Sequence, residues 1–252
     1  MRLGARAASR GFRLENHDSV VSTNDIALAR GRTGDPGRLW IVAAEQTGGR
    51  GRLGRPWQSP RGNLFASLLL CDPAPADRAP ELGFVAGVAL AEAMDAVGAP
   101  AGAVELKWPN DALFNGAKIS GSLLEATTTA DGALACVIGV GVNCLAHPEG
   151  MAYPATDMSA EGLDVSREKM FAALSDALSE QLETWAGGAG FWAVRAAWLK
   201  RAARLGQRLE VHANGASRSG VFETIDSRGG LVLRDGAEEF TVLAGDVVWP
   251  AK

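Results

Sequence analysis

Between residues 104 and 142, four apolar segments of strand length (104–108, 112–114, 119–126 and 134–142) follow one another with almost no chain between them. Asn115-Gly116 and Asp131-Gly132 supply turns of the kind that reverse a chain within two residues, because Gly and Asn accept positive φ. So little connecting chain leaves no room for crossover helices, and the segment must fold as antiparallel sheet. Upstream, residues 39–44 and 64–70 are two further strand-length apolar runs, joined by a long Gly- and Arg-rich stretch. Ser22 with Asp25 three residues later fits a capping box, so a helix is expected to start there.

Residues 82–97 carry Ala, Val, Leu and Met at helical spacing and end at Gly98 and Pro100, which predicts a buried helix whose Gly83 and Gly87 permit close packing. Met170, Leu174, Leu178, Leu182 and Trp185 form one helical stripe, and Phe191, Val194, Trp198, Leu199 and Leu205 a second. From Gly206 onward the pattern changes to short alternating runs, the last at residues 247–249, divided by turns at Asn214-Gly215, Gly229-Gly230, Asp235-Gly236 and Gly245-Asp246. That spacing predicts a small β-barrel of about 45 residues, too small to stand well alone and so expected to lean on the rest.

Composition narrows the function classes. With 47% hydrophobic and 21% charged residues, the 252-residue chain is neither disordered nor a disulfide scaffold. The longest apolar run, 82–90, is interrupted by Gly83 and Gly87 and is far short of the roughly 18 residues that span a bilayer, so no membrane role is expected. A net charge of −4 provides no global field for nucleic acid, and polyanion binding must come from a local cluster. Cys71, Cys136 and Cys144 lack CxxC spacing and read as buried free thiols in a reducing cytoplasm. Arg2, Arg6, Arg10 and Arg13 resemble a transit peptide in charge alone, without an apolar segment for secretion.

Two segments carry chemistry. Residues 48–55 (Gly-Gly-Arg-Gly-Arg-Leu-Gly-Arg) place three guanidiniums among four glycines, which suits an anion: Arg donates in pairs to carboxylate or phosphate, and bare Gly amides approach a ligand closely. A solvated loop would have the same composition, but Pro56 and Trp57 and the flanking strands favour a ligand-ordered lid. The loop is neither a Walker A motif nor GxGxxG. Lys107 ends an apolar strand and is followed by Trp108-Pro109-Asn110-Asp111, a placement that suits contact with developing charge as well as a snorkelling surface lysine. Lys118, after the Asn115-Gly116 turn, has the same two readings.

Together these segments resemble the biotin protein ligases. The resemblance rests on Ser22-Thr23-Asn24, on Glu45 to Trp57, on Lys107 to Asp111, on Lys118-Ile119-Ser120-Gly121 with Glu125, and on Ile138 to Asn143, in family order. It implies an α+β fold: a mixed, mostly antiparallel sheet with flanking helices in a catalytic domain of residues 1–205, and an SH3-like barrel in residues 206–252. It also implies a cytoplasmic enzyme with two steps. Biotin attacks the α-phosphorus of ATP to give biotinyl-AMP and pyrophosphate, with Mg²⁺, and a lysine of a biotin carboxyl carrier protein domain then attacks the mixed anhydride. By the same likeness Ser22, Thr23, Asn24 and Gln46 hold the ureido ring, and Arg50, Gly51 and Arg52 close over biotin and adenylate. Lys107 meets the carboxylate and reacting phosphate, with Arg52 its catalytic partner, while Arg55, Trp57, Asn110, Lys118 and Asn143 join Arg50 and Arg52 on the nucleotide side. The metal ligands stay open, and no general base is required because the biotin carboxylate is already ionised. Relatives that repress transcription carry an N-terminal helix-turn-helix domain; only 21 residues precede Ser22, so no nucleic acid partner is expected. A homodimer through a sheet edge remains an option. Ser122 stands where an aliphatic residue is usual, which leaves the packing near the nucleotide open. A lipoate ligase and a non-catalytic binding module of the same fold are the competing readings.

Overall fold

A computed structural model describes residues 1–151, 153–213 and 215–248; Asn214 of the expected Asn214-Gly215 turn and Trp249 of the expected last strand lie outside the described residues. The apolar runs become strands β2 (Leu39–Gln46) and β3 (Leu64–Cys71), and the compact segment gives β4 (Val104–Lys107), β5 (Asp111–Phe114), β6 (Ala117–Thr128) and β7 (Leu134–Val142). A further strand, β1 (Arg13–Val20), joins them. The sheet has the order β1-β2-β3-β7-β6-β5-β4. All its pairs are antiparallel except β1 with β2, which makes the sheet mixed. Arg-Leu-Glu-Asn-His-Asp-Ser-Val in β1 has no apolar face to announce it; as an edge strand it needs only one neighbour.

Alternation along the strands splits the core into two layers. On one face Leu39, Ile41, Leu69 and Val137 pack with Ala27 and Leu28 of helix α2 (Thr23–Arg32). On the other, Trp40, Val42, Leu68 and Ile138 meet the larger core formed by α3 (Leu82–Ala96), α4 (Arg167–Trp185) and α5 (Phe191–Leu199). The sheet is therefore sandwiched, with α2 alone on the face that carries the site. Ser22 caps α2 by accepting from Asp25 N at 3.4 Å, the first half of the expected box.

Two expectations need correction. A Cβ on Gly87 would sit 3.4 Å from Trp198 Nε1, so this glycine admits α5 closely, whereas nothing lies within 4 Å of one on Gly83. Leu205 falls beyond α5 and is exposed. Two of the N-terminal arginines are tied into the fold, as the lack of a transit-peptide pattern leads one to expect: the short helix α1 (Ala5–Ser9) lies on α4, with Arg6 paired to Glu180 (2.5 Å) and Arg10 to Glu183 (2.6 Å).

The C-terminal strands β8 (Arg208–Ala213), β9 (Ala216–Ile225), β10 (Leu231–Asp235), β11 (Glu238–Val242) and β12 (Asp246–Val248) form an antiparallel sheet in the order β11-β10-β9-β8-β12, an SH3-like arrangement. Its apolar face is continuous with the main core: Phe222 meets Trp198 edge-on with ring centroids 6.5 Å apart, and Trp108 Nε1 donates to Gly229 O at 3.1 Å. The three cysteines are free, and burial pushes the Cys136 and Cys144 thiols up to about 11 and about 12, which leaves both unreactive near neutral pH. No helix among the described residues is long and apolar enough to cross a membrane.

Candidate active site

A cavity of about 720 Å³ opens between the α2 face of the main sheet, the Gly/Arg loop and the edge of the C-terminal sheet. It joins two ends of different character.

At the first end, the start of α2 meets β2, β3 and β7. Gln46 Oε1 accepts from Thr23 N (2.8 Å) and Thr23 Oγ1 (3.0 Å), and its amide donates to Ser59 Oγ (3.1 Å). Ser67 Oγ lies 2.7 Å from Thr23 Oγ1 and 2.5 Å from Asn24 Oδ1, and Asn24 Nδ2 donates to Glu125 Oε2 at 2.7 Å. This interlocked network fixes the rotamers of Thr23, Asn24 and Gln46. Ser22 Oγ accepts the cap bond and keeps its own proton to donate. Gly139 makes the approach possible, since a Cβ there would stand 2.3 Å from Asn24 Oδ1.

Glycines open the floor between the ends. Gly121 and Gly141 are partners across β6 and β7, and the Trp57 indole lies on them, so that a Cβ on Gly141 would come within 2.5 Å of Trp57 Nε1.

The second end is cationic. Lys107 closes β4 above the buried Trp108, and burial holds its ammonium below the usual lysine value of 10.5, with Asp111 opposing the shift. Lys118 Nζ is 2.6 Å from Asp111 Oδ1 and lies over the rings of Trp57 (5.5 Å) and Tyr153 (5.3 Å). Asn110 Nδ2 donates to Ser122 O (2.5 Å), and Ser122 N donates to Asn110 O (2.9 Å). Ser122 thus holds Asn110 through its backbone, and its hydroxyl adds a longer bond to Asn110 O at 3.4 Å, the one contact there that needs a polar side chain.

The Gly/Arg loop is a small hairpin over the cavity. Gly51 N donates to Arg55 O (2.7 Å), Trp57 N donates to Gly49 O (2.9 Å), and Leu53 and Gly54 turn the tip with φ of 56° and 72°. Its arginines divide. Arg50 pairs with both oxygens of Asp25 (3.0 and 2.5 Å), which holds that carboxyl below its usual range and raises the guanidinium; Glu125 is 3.8 Å away. The charge of Arg50 is therefore matched within the chain and acts as a brace for the loop. Arg52 reaches across to Asp246 (3.2 Å), Gly245 O (3.0 Å) and Asn110 Oδ1 (3.5 Å), and Arg55 to Asp246 (3.0 Å).

Of the residues expected from sequence, Ser22, Thr23, Asn24, Gln46, Arg50, Gly51, Arg52, Arg55, Trp57, Lys107, Asn110 and Lys118 all line the cavity. Asn143 does not: just past β7 it turns its amide to Thr156 O (3.0 Å). It acts at one remove, holding residues 154–156 against Lys118, whose N donates to Pro154 O (2.8 Å). Sequence reasoning missed Tyr153, Arg204, His212 and Asp246, which also line the cavity. Tyr153, the chain's one tyrosine, had a compositional signal; the other three are brought in by the C-terminal sheet and its joint.

A three-layer fold whose glycine-floored cavity links a polar pocket to a cluster of fixed cations suits a ligase that takes a carboxylate substrate. Residues 18–143 match the model of the biotin/lipoate A/B protein ligase family, and the chain belongs to this family. The biotin–[acetyl-CoA-carboxylase] ligase of Paracoccus denitrificans is 38% identical over 235 residues, 90% of this chain and 96% of that protein. Its counterpart in Mycobacterium tuberculosis is 31% identical, over 90% of this chain and 85% of the other. The biotin protein ligase of Aquifex aeolicus, solved in complex with biotin and ATP, superposes with a TM-score of 0.79 at 26% identity, covering 94% of this chain and 97% of that one. Within the family the chain groups with the biotin protein ligases.

Proposed function

We propose that this chain condenses biotin with ATP to give biotinyl-AMP and pyrophosphate, and then passes the biotinyl group to a lysine of a biotin carboxyl carrier domain. The observation that carries this reading is the single cavity that joins the Ser22–Gln46 network to Lys107, Arg52 and Arg55. A ureido ring both donates and accepts, and the network offers hydroxyl, amide and carbonyl groups at fixed positions. The dithiolane of lipoate has no such groups and would leave them desolvated, a discrimination worth several orders of magnitude in comparable polar sites. The named relatives and the biotin- and ATP-bound neighbour support the same choice.

In the first step the biotin carboxylate approaches the α-phosphate, two anions that repel. Lys107, Arg52 and Arg55 lie where that charge gathers, and fixed cations in a site shielded from water lower the barrier without reorganising. Arg52 holds the adenylate between the steps, Asn110 orients Arg52, and Trp57, Lys118 and Tyr153 form the aromatic and cationic wall for the nucleotide. Mg²⁺, when bound, would supply charge neutralisation on the polyphosphate, held chiefly by the phosphate oxygens. Among the described residues no three carboxylate, histidine or cysteine groups cluster as a metal site, and Asp111 and Asp246 on the wall already accept from Lys118 and from Arg52 and Arg55. Residues 1–205 would form the catalytic domain and residues 206–252 a module that closes the cavity, working in the cytoplasm.

Incubation with biotin, MgATP and a carrier domain tests the second step. Mass spectrometry is expected to find one biotinyl group on a carrier lysine; a carrier left unmodified by a protein that forms the adenylate would overturn the partner assignment.

A further inference from the structure

Arg204 lies outside every motif that the sequence singles out, yet it lines the cavity with Lys107, Arg52, Arg55 and Asp246. Backbone pairing fixes its place. Leu106 N donates to Arg201 O (2.7 Å), Ala203 N donates to Leu106 O (2.8 Å), and Leu106 and Ala202 form a parallel bridge. Residues 201–203 therefore extend the sheet beyond β4, and Arg204 follows directly on a segment stitched to the strand that carries Lys107. Its φ of 60° is left-handed, a conformation that Gly or Asn adopts with less strain. A long cationic side chain held so at a cavity wall points to a role in the site rather than in the turn.

The sheet order shows what lies within its reach. Across the sheet four strands, β3, β7, β6 and β5, separate Gln46 on β2 from Lys107 on β4, and Arg204 follows the segment bridged to the far side of β4. Biotin seated with its ring at the Ser22–Gln46 network extends toward Lys107, so Arg204 is at the end remote from the ring. The aromatic groups that suit a purine, Trp57 and Tyr153, gather round Lys118 instead. Lys107, Arg52 and Arg55 line the same cavity as Arg204, four cations against the two carboxylates Asp111 and Asp246, a setting for a polyanion. Burial chiefly disfavours the ammonium of Lys107, and the charge of Arg204 adds to it.

We propose that Arg204 binds the β- and γ-phosphates of ATP and stabilises the departing pyrophosphate, an inference that rests on the adenylation reading above. In that step a biotin carboxylate oxygen forms a bond to the α-phosphorus, and the bond from the α-phosphorus to the α–β bridging oxygen breaks. The bridging oxygen leaves with the electron pair as part of pyrophosphate, and no proton is transferred. Negative charge grows on that oxygen and the β-phosphate, where a planar guanidinium offers two parallel donors.

Arg204→Asn is the cleaner removal because asparagine keeps the left-handed backbone, and Arg204→Lys restores the charge. The two half-reactions are measured separately: pyrophosphate release in a single turnover with biotin and MgATP, and transfer from supplied biotinyl-AMP to a carrier lysine. Arg204→Asn is expected to slow pyrophosphate release by at least about tenfold and to raise KM for ATP, with transfer within twofold of the unsubstituted protein and Arg204→Lys recovering part of the loss. Release within twofold of the unsubstituted protein, or an equal slowing of both half-reactions, would overturn the proposal. Failure of the unsubstituted protein to form biotinyl-AMP would instead overturn the reading on which it rests.

Discussion

Lys107 carries its charge in a place that disfavours it. Burial lowers its folded-state value below 10.5, so the ammonium costs stability at neutral pH, and that cost disappears only as pH rises through the lowered value. A charge kept against this gradient is of use to a ligand rather than to the fold. Lys107→Gln is therefore expected to melt at the same temperature or slightly higher, while single-turnover adenylation at saturating biotin and ATP falls by about 10²–10³. In the unsubstituted protein, adenylation should decline on the alkaline side at a pH below 10.5 as the lysine loses its proton. A rate change under about threefold, less than the 1.4 kcal/mol of a tenfold effect, would make Lys107 a bystander. Legibility at this scale followed locality. Arg52 and Lys107 stand in segments whose composition has no structural use, and both line the cavity. Asp246 and Arg204 are brought to them from more than 95 residues away by the second sheet and its joint, which no local pattern records. Asn143 belongs to a segment that borders the site, yet the chain turns just after β7 and takes its side chain elsewhere.

At the scale of elements, the strands from β4 to β7 were readable because turn chemistry and apolar runs agree, and β2, β3 and the C-terminal strands for the same reason. β1 was not, since a polar edge strand looks like loop. The glycines of β6 and β7 are informative in another way: strand propensity disfavours them, and their purpose is visible only once α2 and Trp57 are seen lying on them. Gly139→Ala would drive a methyl group into Asn24, loosening its links to Glu125 and Ser67. We expect a loss of roughly 1–3 kcal/mol by chemical denaturation, and biotin binding weakened more than ATP binding by calorimetry. Gly83→Ala is the control, expected to be neutral or mildly stabilising because its Cβ meets nothing within 4 Å. Equal stability of the two variants would show that Gly139 is not a site of close approach.

For the molecule as a whole, the two sheets share one core through Trp198, Phe222 and Trp108, and one site through Arg52, Arg55 and Asp246. The C-terminal sheet thus contributes a wall and an anion that positions the loop arginines, so the cavity is complete only when both sheets are in place. Activation of biotin as its adenylate in this cavity is the proposed reaction on which every role assigned above depends. The most direct measurement mixes the protein with MgATP and either biotin or lipoate, and follows pyrophosphate release together with mass spectrometry of the protein-bound product. Biotin should give stoichiometric pyrophosphate and biotinyl-AMP, and lipoate should give neither; lipoyl-AMP with lipoate, or no pyrophosphate with biotin, would contradict the account.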